Sequence, residues 1–283
     1  MTKNTPSSRN RTWFILSVGI NIFLFLCIGL YTYQRKEIII SKIEGLVRPS
    51  NIPSEKLLLT FNNEPLEASN EFFDMNADST VTILFLGNSL TYTSAPDEES
   101  DKTKRGLVSS SKEKDYVHQL VRMIAEGDGI NVDYSIVNIA DFERGFLQQS
   151  FSREVISNVK NQNPDWLIVQ VGENVSKADM NEAEVFEKEL EKLMNLFPDS
   201  RKMITIPFWT TKEKSYALTN AAISSGAYLV DLSHLGSGSD DPLNLANSQD
   251  KYKNSKAGTH PGDYGMNNIA RCFYACYRAS KLN

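Results

Sequence analysis

The fold is decided by residues 81–91, which read VTILFLGNSLT. Six apolar or β-branched residues in a row are typical of a strand that is buried on both faces of a parallel sheet. Gly87 and Asn88 follow directly, and both residue types favour sharp turns. The pattern predicts a central strand whose turn presents Ser89 at the carboxyl edge of the sheet, where ligand sites form in such folds. The alternative for Ser89 is a helix N-cap without chemistry.

From residue 80 onward, apolar runs of strand length alternate with stretches of helical period. The predicted strands cover residues 81–86, 132–137, 166–171, 203–206 and 228–232. The predicted helices cover residues 115–126, 146–160, 181–197, 211–225 and 264–280. Because such alternation is typical of a parallel sheet covered on both faces, we predict a three-layer α/β/α sandwich with a five-stranded parallel sheet over residues 80–283.

Two further turns carry polar residues suited to chemistry. The third predicted strand ends in Gly172-Glu173-Asn174, where the Asn174 side chain either donates into the same cleft or forms only an Asx-turn. His260 precedes Pro261, which excludes helix at the histidine and predicts a loop. A histidine in a loop at this edge of the sheet is a candidate base.

The sequence offers two other histidines. His118 falls within the first predicted helix, and we interpret it as structural or solvent-facing. His234 follows the fifth predicted strand and is the rival of His260 as a base.

Taken together, the three turns resemble the sequence blocks of the SGNH (GDSL-type) hydrolase superfamily. Residues 87–91 look like its nucleophile block, residues 172–174 like its G-x-N block, and His260-Pro261 like its histidine block. The resemblance spans residues 80–280 and implies a flavodoxin-like fold, no cofactor, and ester hydrolysis through an acyl-serine intermediate. It implies Ser89 as the nucleophile and His260 as the base. The implied oxyanion hole comprises the Ser89 backbone amide, the Asn174 side chain and one further amide.

The sequence departs from the family pattern at three positions. Asn88 stands where the family has an aspartate. The glycine expected after the second strand is matched only by Gly145, which we take as the third oxyanion donor, with the amides of residues 140–141 as the alternative. Ala257 stands three residues before His260, where the family has the acid that orients the histidine.

The missing acid leaves three hypotheses for the mechanism. In the first, a backbone carbonyl near Ala257 accepts the ring proton of His260, which gives a Ser–His dyad. In the second, a carboxylate from another loop takes this place, the candidates being Asp240, Asp241, Asp250 and Glu173. In the third, the site has no activity. Asp263 is a poor candidate for the acid because it is predicted to cap the last helix, where its side chain would point at backbone amides.

A membrane segment is predicted near the N-terminus. Residues 13–33 contain no charged side chain, and a helix of that length, at about 1.5 Å per residue, spans the ~30 Å hydrocarbon layer. We predict a tail over residues 1–12, a retained signal anchor over residues 13–33 and a stalk and linker over residues 34–79. A cleaved signal peptide is the alternative, but its apolar run is usually shorter. The basic tail favours the cytoplasmic side, and so a catalytic domain outside the cytoplasm.

Composition excludes several classes of protein. The 283 residues are 41% hydrophobic and 23% charged, as in globular proteins, and three cysteines are too few for a disulfide scaffold. Cys272 and Cys276 are interpreted as small core residues. Residues 51–283 carry 23 basic and 33 acidic side chains, and this acidic surface argues against nucleic-acid partners.

These observations predict a membrane-anchored serine esterase, whose substrate is a small-molecule or glycan ester and, among these, an O-acetyl group on a carbohydrate. The alternatives are a glycan O-acetyltransferase with the same acyl-serine and a catalytically lapsed glycan-binding or assembly module. Residues 94–114 form a polar insertion after the nucleophile block, interpreted as a surface loop, a lid or a groove wall. Phe208 and Trp209 follow the fourth strand and either stack on a sugar or belong to the core.

Overall fold

The computed structural model describes residues 66, 68–93, 104–148, 151–176, 179–236, 242–248 and 256–282. Within these ranges the strands are β1 (Ala68–Phe73), β2 (Thr80–Gly87), β3 (Asn131–Asn138), β4 (Trp166–Gln170), β5 (Arg201–Ile206) and β6 (Tyr228–Asp231). The α-helices are α1 (Tyr116–Asp128), α2 (Ala140–Gly145), α3 (Ala183–Asn195), α4 (Lys212–Ser225) and α5 (Asp263–Ser280). All described residues belong to one unit, Phe61–Asn283.

The strands form one sheet in the order β1-β3-β2-β4-β5-β6. Strands β2 to β6 are parallel, and their order is that of flavodoxin-like sheets, in which ligands bind beside the central strand. Gly87 at the end of β2 pairs with Asn138 on one side and with Gln170 on the other. The carboxyl ends of three neighbouring strands are therefore level, and the turns that follow them lie side by side.

Alternate residues of the sheet face two separate hydrophobic cores. Ile83 and Phe85 pack with α1 and α5 on one face, while Leu84 and Leu86 pack with α2, α3 and α4 on the other. The predicted three-layer sandwich is thus confirmed, as are all five predicted strands to within two residues at each end.

The prediction of a purely parallel sheet of five strands was wrong, because the sheet is mixed and has a sixth strand. β1 lies within the predicted linker and pairs antiparallel with β3. Its sequence, ASNEFF, lacks the apolar alternation of a core strand because it lies at the edge of the sheet. Phe72 is 52% exposed, whereas Glu71 bonds with His118 and Tyr134. Polar contacts anchor this strand, and hydrophobic periodicity does not detect them.

The predicted helix over residues 146–160 was also wrong. The α-helix in this region, α2, begins six residues earlier, and residues Arg153–Ile156 form a single 3₁₀ turn. Phe146, Phe151, Ile156 and Val159 are all buried, but their spacing of five, five and three is not that of a helix face. Side chains in this segment fill the core from irregular backbone.

Among the described residues no helix combines the length and the apolar character needed to cross a bilayer. The predicted anchor over residues 13–33 lies outside the described residues, as do the tail and most of the stalk. Their assignment stays a prediction.

Candidate active site

The turn after β2 is held by its glycine and its asparagine. A Cβ atom at Gly87 would lie 1.9 Å from Thr91 Oγ1, so no side chain fits there. The Asn88 carbonyl accepts from the Thr91 backbone N–H at 2.9 Å, and Asn88 Oδ1 accepts from the Leu90 N–H at 3.0 Å. These bonds form a turn and not the start of a helix, so Ser89 does not cap a helix here, and it is partly exposed at the edge of the sheet.

The turn after β4 is equally constrained. Gly172 has φ = 117°, in the region that side chains disfavour, and a Cβ there would lie 2.9 Å from Pro207 Cγ. Asn174 donates from its backbone N–H to Glu143 Oε1 at 3.2 Å and from its side chain to Glu143 Oε2 at 2.8 Å. Asn174 is therefore tied to a glutamate of α2 rather than folded into an Asx-turn.

Gly145, the predicted third oxyanion donor, ends α2, about 7 Å along the helix axis from the first helical residue. No heavy atom lies within 4 Å of where its Cβ would be, so packing does not require a glycine there. The alternative amide, that of Ala140, donates to Asn138 Oδ1 at 2.9 Å. The residue of α2 that contacts the two turns is instead Glu143, which the sequence analysis did not identify as a candidate.

Two carboxyl groups lie beneath the turns that carry Ser89 and Asn174. Glu143 is fully buried, and Glu173 accepts from Asn88 Nδ2 at 2.7 Å and from the Phe208 N–H at 3.0 Å. Burial raises the pKa of both groups, and the nearby charge of Glu143 helps to raise the pKa of Glu173 to about 7. Like charges in a buried site disfavour double ionisation, so the pair retains a proton near neutral pH.

Lys214 of α4 supplies the opposite charge. Its Nζ donates to the Gly172 carbonyl at 2.7 Å, and the residue is only 6% exposed. Burial lowers the pKa of Lys214, against the attraction of Glu173 and Glu143. The burial of Lys214 could not be predicted from the sequence, because a lysine in a polar helix is expected to face solvent.

The loop before α5 holds His260. Its backbone N–H donates to the Ala257 carbonyl at 3.0 Å, and its own carbonyl accepts from Ala246 at 2.8 Å. The imidazole meets Trp209 edge to face, with ring centroids 4.8 Å apart and an interplanar angle of 84°, and its Nδ1 atom is enclosed by protein. Of the predicted aromatic pair, Phe208 is buried in the core and Trp209 is partly exposed beside the histidine.

A chain of contacts connects the turn of Ser89 to this histidine. Asn88 bonds to Glu173, Glu173 accepts from the backbone of Phe208, and the next residue, Trp209, packs against His260. Residues far apart in sequence thus share one edge of the sheet. The turn of Ser89, the Asn174 turn and the loop of His260 are neighbours there.

The described part of the predicted insertion, residues 104–114, packs against the same turn. Arg105 pairs with Thr93 in an antiparallel bridge, and the Leu107 N–H donates to the Ser89 carbonyl at 2.8 Å. Val108 has φ = 70°, a conformation that costs a β-branched residue of order 1–3 kcal/mol. It is held by packing against Ala246 of the segment bonded to His260. This part of the insertion is a wall beside the candidate site.

The remaining histidines have other places. His118 lies between Asp115 and Glu71, at 2.7 and 3.1 Å, where it joins α1 to β1. Burial alone would lower its pKa, but the two carboxylates outweigh burial and raise it to about 9. Its predicted structural role is confirmed. His234 is exposed after β6, two strands away from β4.

The prediction that Asp263 caps α5 was wrong. Asp263 is the first residue of the helix, where it accepts from the Ser110 N–H and hydroxyl, both at 2.7 Å, and from Lys114 at 3.0 Å. Its carboxylate is nevertheless committed to partners other than His260. Asp240, Asp241 and Asp250 lie outside the described residues.

Cys272 and Cys276 are free thiols that pack against the core, as predicted. Over the part of the chain that the structure describes, no three His, Cys, Asp or Glu side chains are grouped so as to hold a metal ion.

No family model and no curated protein matches the sequence. Among solved structures, the chain is similar to a two-domain esterase active on acetylated mannans, with 14% identity and a TM-score of 0.47 over 74% of this chain and 52% of that one. A family 3 carbohydrate esterase from Clostridium thermocellum shows 17% identity and a TM-score of 0.45, over 70% and 94%. A family two carbohydrate esterase from Cellvibrio japonicus shows 14% and 0.43, over 70% and 61%. The chain spans about half the length of the first of these. With TM-scores below 0.5, the likeness assigns neither substrate nor residue roles.

Proposed function

We propose that the chain is a membrane-anchored serine esterase that removes O-acetyl groups from a carbohydrate. The observation that carries the proposal is the contact chain from Asn88 through Glu173 and Phe208 to Trp209 and His260. It supports the proposal because it links the turn that carries a serine to an imidazole, and Glu143 joins the same turn to an asparagine amide. Those are the groups that acyl transfer to a serine requires.

In the proposed reaction, Ser89 Oγ attacks the acyl carbon and His260 Nε2 accepts the hydroxyl proton. His260 then returns this proton to the oxygen of the leaving sugar. A water molecule attacks the acyl-serine while His260 takes one of its protons. His260 then gives that proton to Ser89 Oγ, and acetic acid leaves and loses its remaining proton to solvent. The Ser89 backbone amide and the Asn174 side chain are the proposed donors to the oxyanion.

His260 is proposed to act in a Ser–His dyad. Its enclosed Nδ1 leaves Nε2 as the nitrogen proposed to take the serine proton. Ala257, at the position of the family's acid, offers a backbone carbonyl that already accepts from the His260 backbone N–H. The partly exposed ring of Trp209 beside the histidine is suited to stacking on a sugar, which favours a carbohydrate ester.

The test is hydrolysis of p-nitrophenyl acetate and of acetylated xylan by the full-length chain in mild detergent. Ser89→Ala and His260→Ala are each expected to lose at least 10³-fold in kcat, since the nucleophile and base act as a unit. Ser157→Ala, at an exposed serine, is the control. An unchanged rate in Ser89→Ala contradicts the proposal. Transfer of acetyl to an added oligosaccharide in preference to water would instead identify an O-acetyltransferase.

A further inference from the structure

The Glu143 carboxylate collects four hydrogen bonds from the two turns of the candidate site. Its Oε1 accepts from the Gly172 N–H at 2.5 Å, the Asn174 N–H at 3.2 Å and Asn88 Nδ2 at 3.3 Å. Its Oε2 accepts from Asn174 Nδ2 at 2.8 Å. Burial of a carboxylate costs free energy unless hydrogen-bond donors surround it. The four donors around the fully buried Glu143 offset that cost and indicate a specific structural role for this side chain.

Glu143 fixes the Asn174 side chain in particular. An amide nitrogen carries two hydrogens, so the bond to Glu143 uses one and sets the direction of the other. The Asn174 backbone N–H binds the same carboxylate, which restrains the residue at two points. The orientation of the proposed oxyanion donor is therefore set by one side chain of α2.

Asn88 connects Glu143 to the serine turn. Its Oδ1 accepts from the Leu90 N–H, and its Nδ2 donates to both Glu143 and Glu173. An aspartate at this position has no hydrogen to donate and would add a third carboxylate to a buried pair. The presence of Glu143 and Glu173 thus explains why this chain has Asn88 where the SGNH pattern that it resembles has an aspartate.

The charges at this cluster are those of Glu143, Glu173 and Lys214. Lys214 reaches the Gly172 carbonyl and is attracted to both carboxylates. Burial raises the pKa of both carboxyl groups, so the pair shares one proton near neutral pH. One cation and one carboxylate then balance within the cluster.

We propose that Glu143 is the positioning residue of this active site. It holds the Asn174 amide in place for the oxyanion and fixes the Asn174 turn against the turn of Ser89, with Asn88 as the neutral link between them. This rests on the proposed function, because it assigns Glu143 a role in that same reaction. Glu143 acts through Asn174 and Asn88 and does not contact the substrate.

The first test is Glu143→Gln in the full-length chain, assayed with p-nitrophenyl acetate. A glutamine keeps the shape but loses one acceptor oxygen, so part of the donor set is left without an acceptor. We expect kcat to fall by about 10- to 100-fold with KM within threefold, since the loss of orientation affects the transition state more than substrate binding. Glu189→Gln, at a buried glutamate of α3 paired with Lys192, is the matched control and is expected to keep wild-type kcat.

The second test uses the Asn88 link and does not depend on folding of Glu143→Gln. Asn88→Asp is expected to lower kcat at least 100-fold. Asn88→Asp combined with Glu173→Gln restores the number of carboxyl groups in the cluster to two and reverses the donor and acceptor of one hydrogen bond, so it should regain at least tenfold. Asn88→Asp combined with Glu189→Gln should regain nothing.

The outcomes separate the two proposals. If Ser89→Ala abolishes hydrolysis and Glu143→Gln folds but keeps kcat within twofold, the positioning role is overturned and the esterase remains. The same conclusion follows if Asn88→Asp is fully active or if Glu173→Gln does not rescue it. If Ser89→Ala is as active as the wild type, the proposed function fails, and the role of Glu143 fails with it.

Discussion

The indole of Trp209 meets the imidazole of His260 edge to face, with ring centroids 4.8 Å apart. Trp209 follows Phe208, whose backbone N–H donates to Glu173, so the contact that supports the proposed base is anchored beside the turn of Ser89. Packing against Trp209 thus supports the ring of the proposed base.

This contact predicts a role for Trp209 in activity. Edge-to-face aromatic pairs contribute about 0.5–1.5 kcal/mol, so Trp209→Ala should lower kcat/KM on p-nitrophenyl acetate by about 3- to 10-fold. The kcat/KM of Trp209→Phe should lie between that of Trp209→Ala and that of the wild type. Tyr216→Ala, which removes an exposed aromatic of α4, is the control. Wild-type activity in Trp209→Ala would show that the contact does not support the base.

Asn174→Ala tests the proposed oxyanion donor. Loss of one such donor costs of order 10²–10³ in kcat, and we expect this fall with little change in KM because the bond strengthens in the transition state. Steady-state kinetics on p-nitrophenyl acetate measure both constants. Asn220→Ala, at an asparagine of α4 that also donates to a glutamate, should be neutral. A tenfold rise in KM at constant kcat would indicate substrate binding instead.

Glu173 predicts a dependence of stability on pH. Its pKa is about 7 in the fold and near 4.5 when unfolded, so the folded state binds more protons between these values. The free energy of unfolding should therefore fall as pH rises from 4.5 to above 7, by about 3 kcal/mol from this group. Urea unfolding followed by tryptophan fluorescence measures it. Glu173→Gln should reduce this slope to the part that the raised pKa of Glu143 contributes, and Glu189→Gln should not change it. Equal slopes in all three chains would rule out the raised pKa of Glu173.

His118 predicts a second dependence in a different pH range. Its folded pKa of about 9 lies above the ordinary value of 6.5, so its contribution is complete below pH 6.5 and is lost as pH rises through 9. We expect a loss of about 3 kcal/mol over this range. His118→Gln should flatten the curve, with His234→Gln, at the exposed histidine, as the control. An unchanged slope in His118→Gln would contradict an ion pair between α1 and β1.

Periodicity was sufficient to predict the layers and the five parallel strands, because a strand such as 81–86 is buried on both faces and carries an apolar run. It could not reveal β1, whose Glu71 is held by hydrogen bonds and ion pairs. Nor could it exclude a helix over residues 146–160, where apolar side chains enter the core from irregular backbone.

The candidate site was only partly predictable for a similar reason. Glycine, asparagine and proline indicate turns and loops in a sequence, so Ser89, Asn174 and His260 could be selected as candidates from the residues beside them. Glu143 and Lys214 are ordinary residues of polar helices until the fold buries them. The sequence pointed to Glu143 only indirectly. Asn88, which donates to Glu143, and Gly145, two residues after it, are both positions at which the sequence departs from the SGNH pattern that it resembles.

The central claim is that the hydroxyl of Ser89 is an activated nucleophile. Its most direct test is labelling of the full-length chain with a fluorophosphonate, followed by mass-spectrometric mapping of the modified peptide. The account predicts a stoichiometric adduct on Ser89 that is absent in Ser89→Ala and forms at least 100-fold more slowly in His260→Ala. An adduct on another residue, or no adduct on the folded wild-type chain, would contradict it.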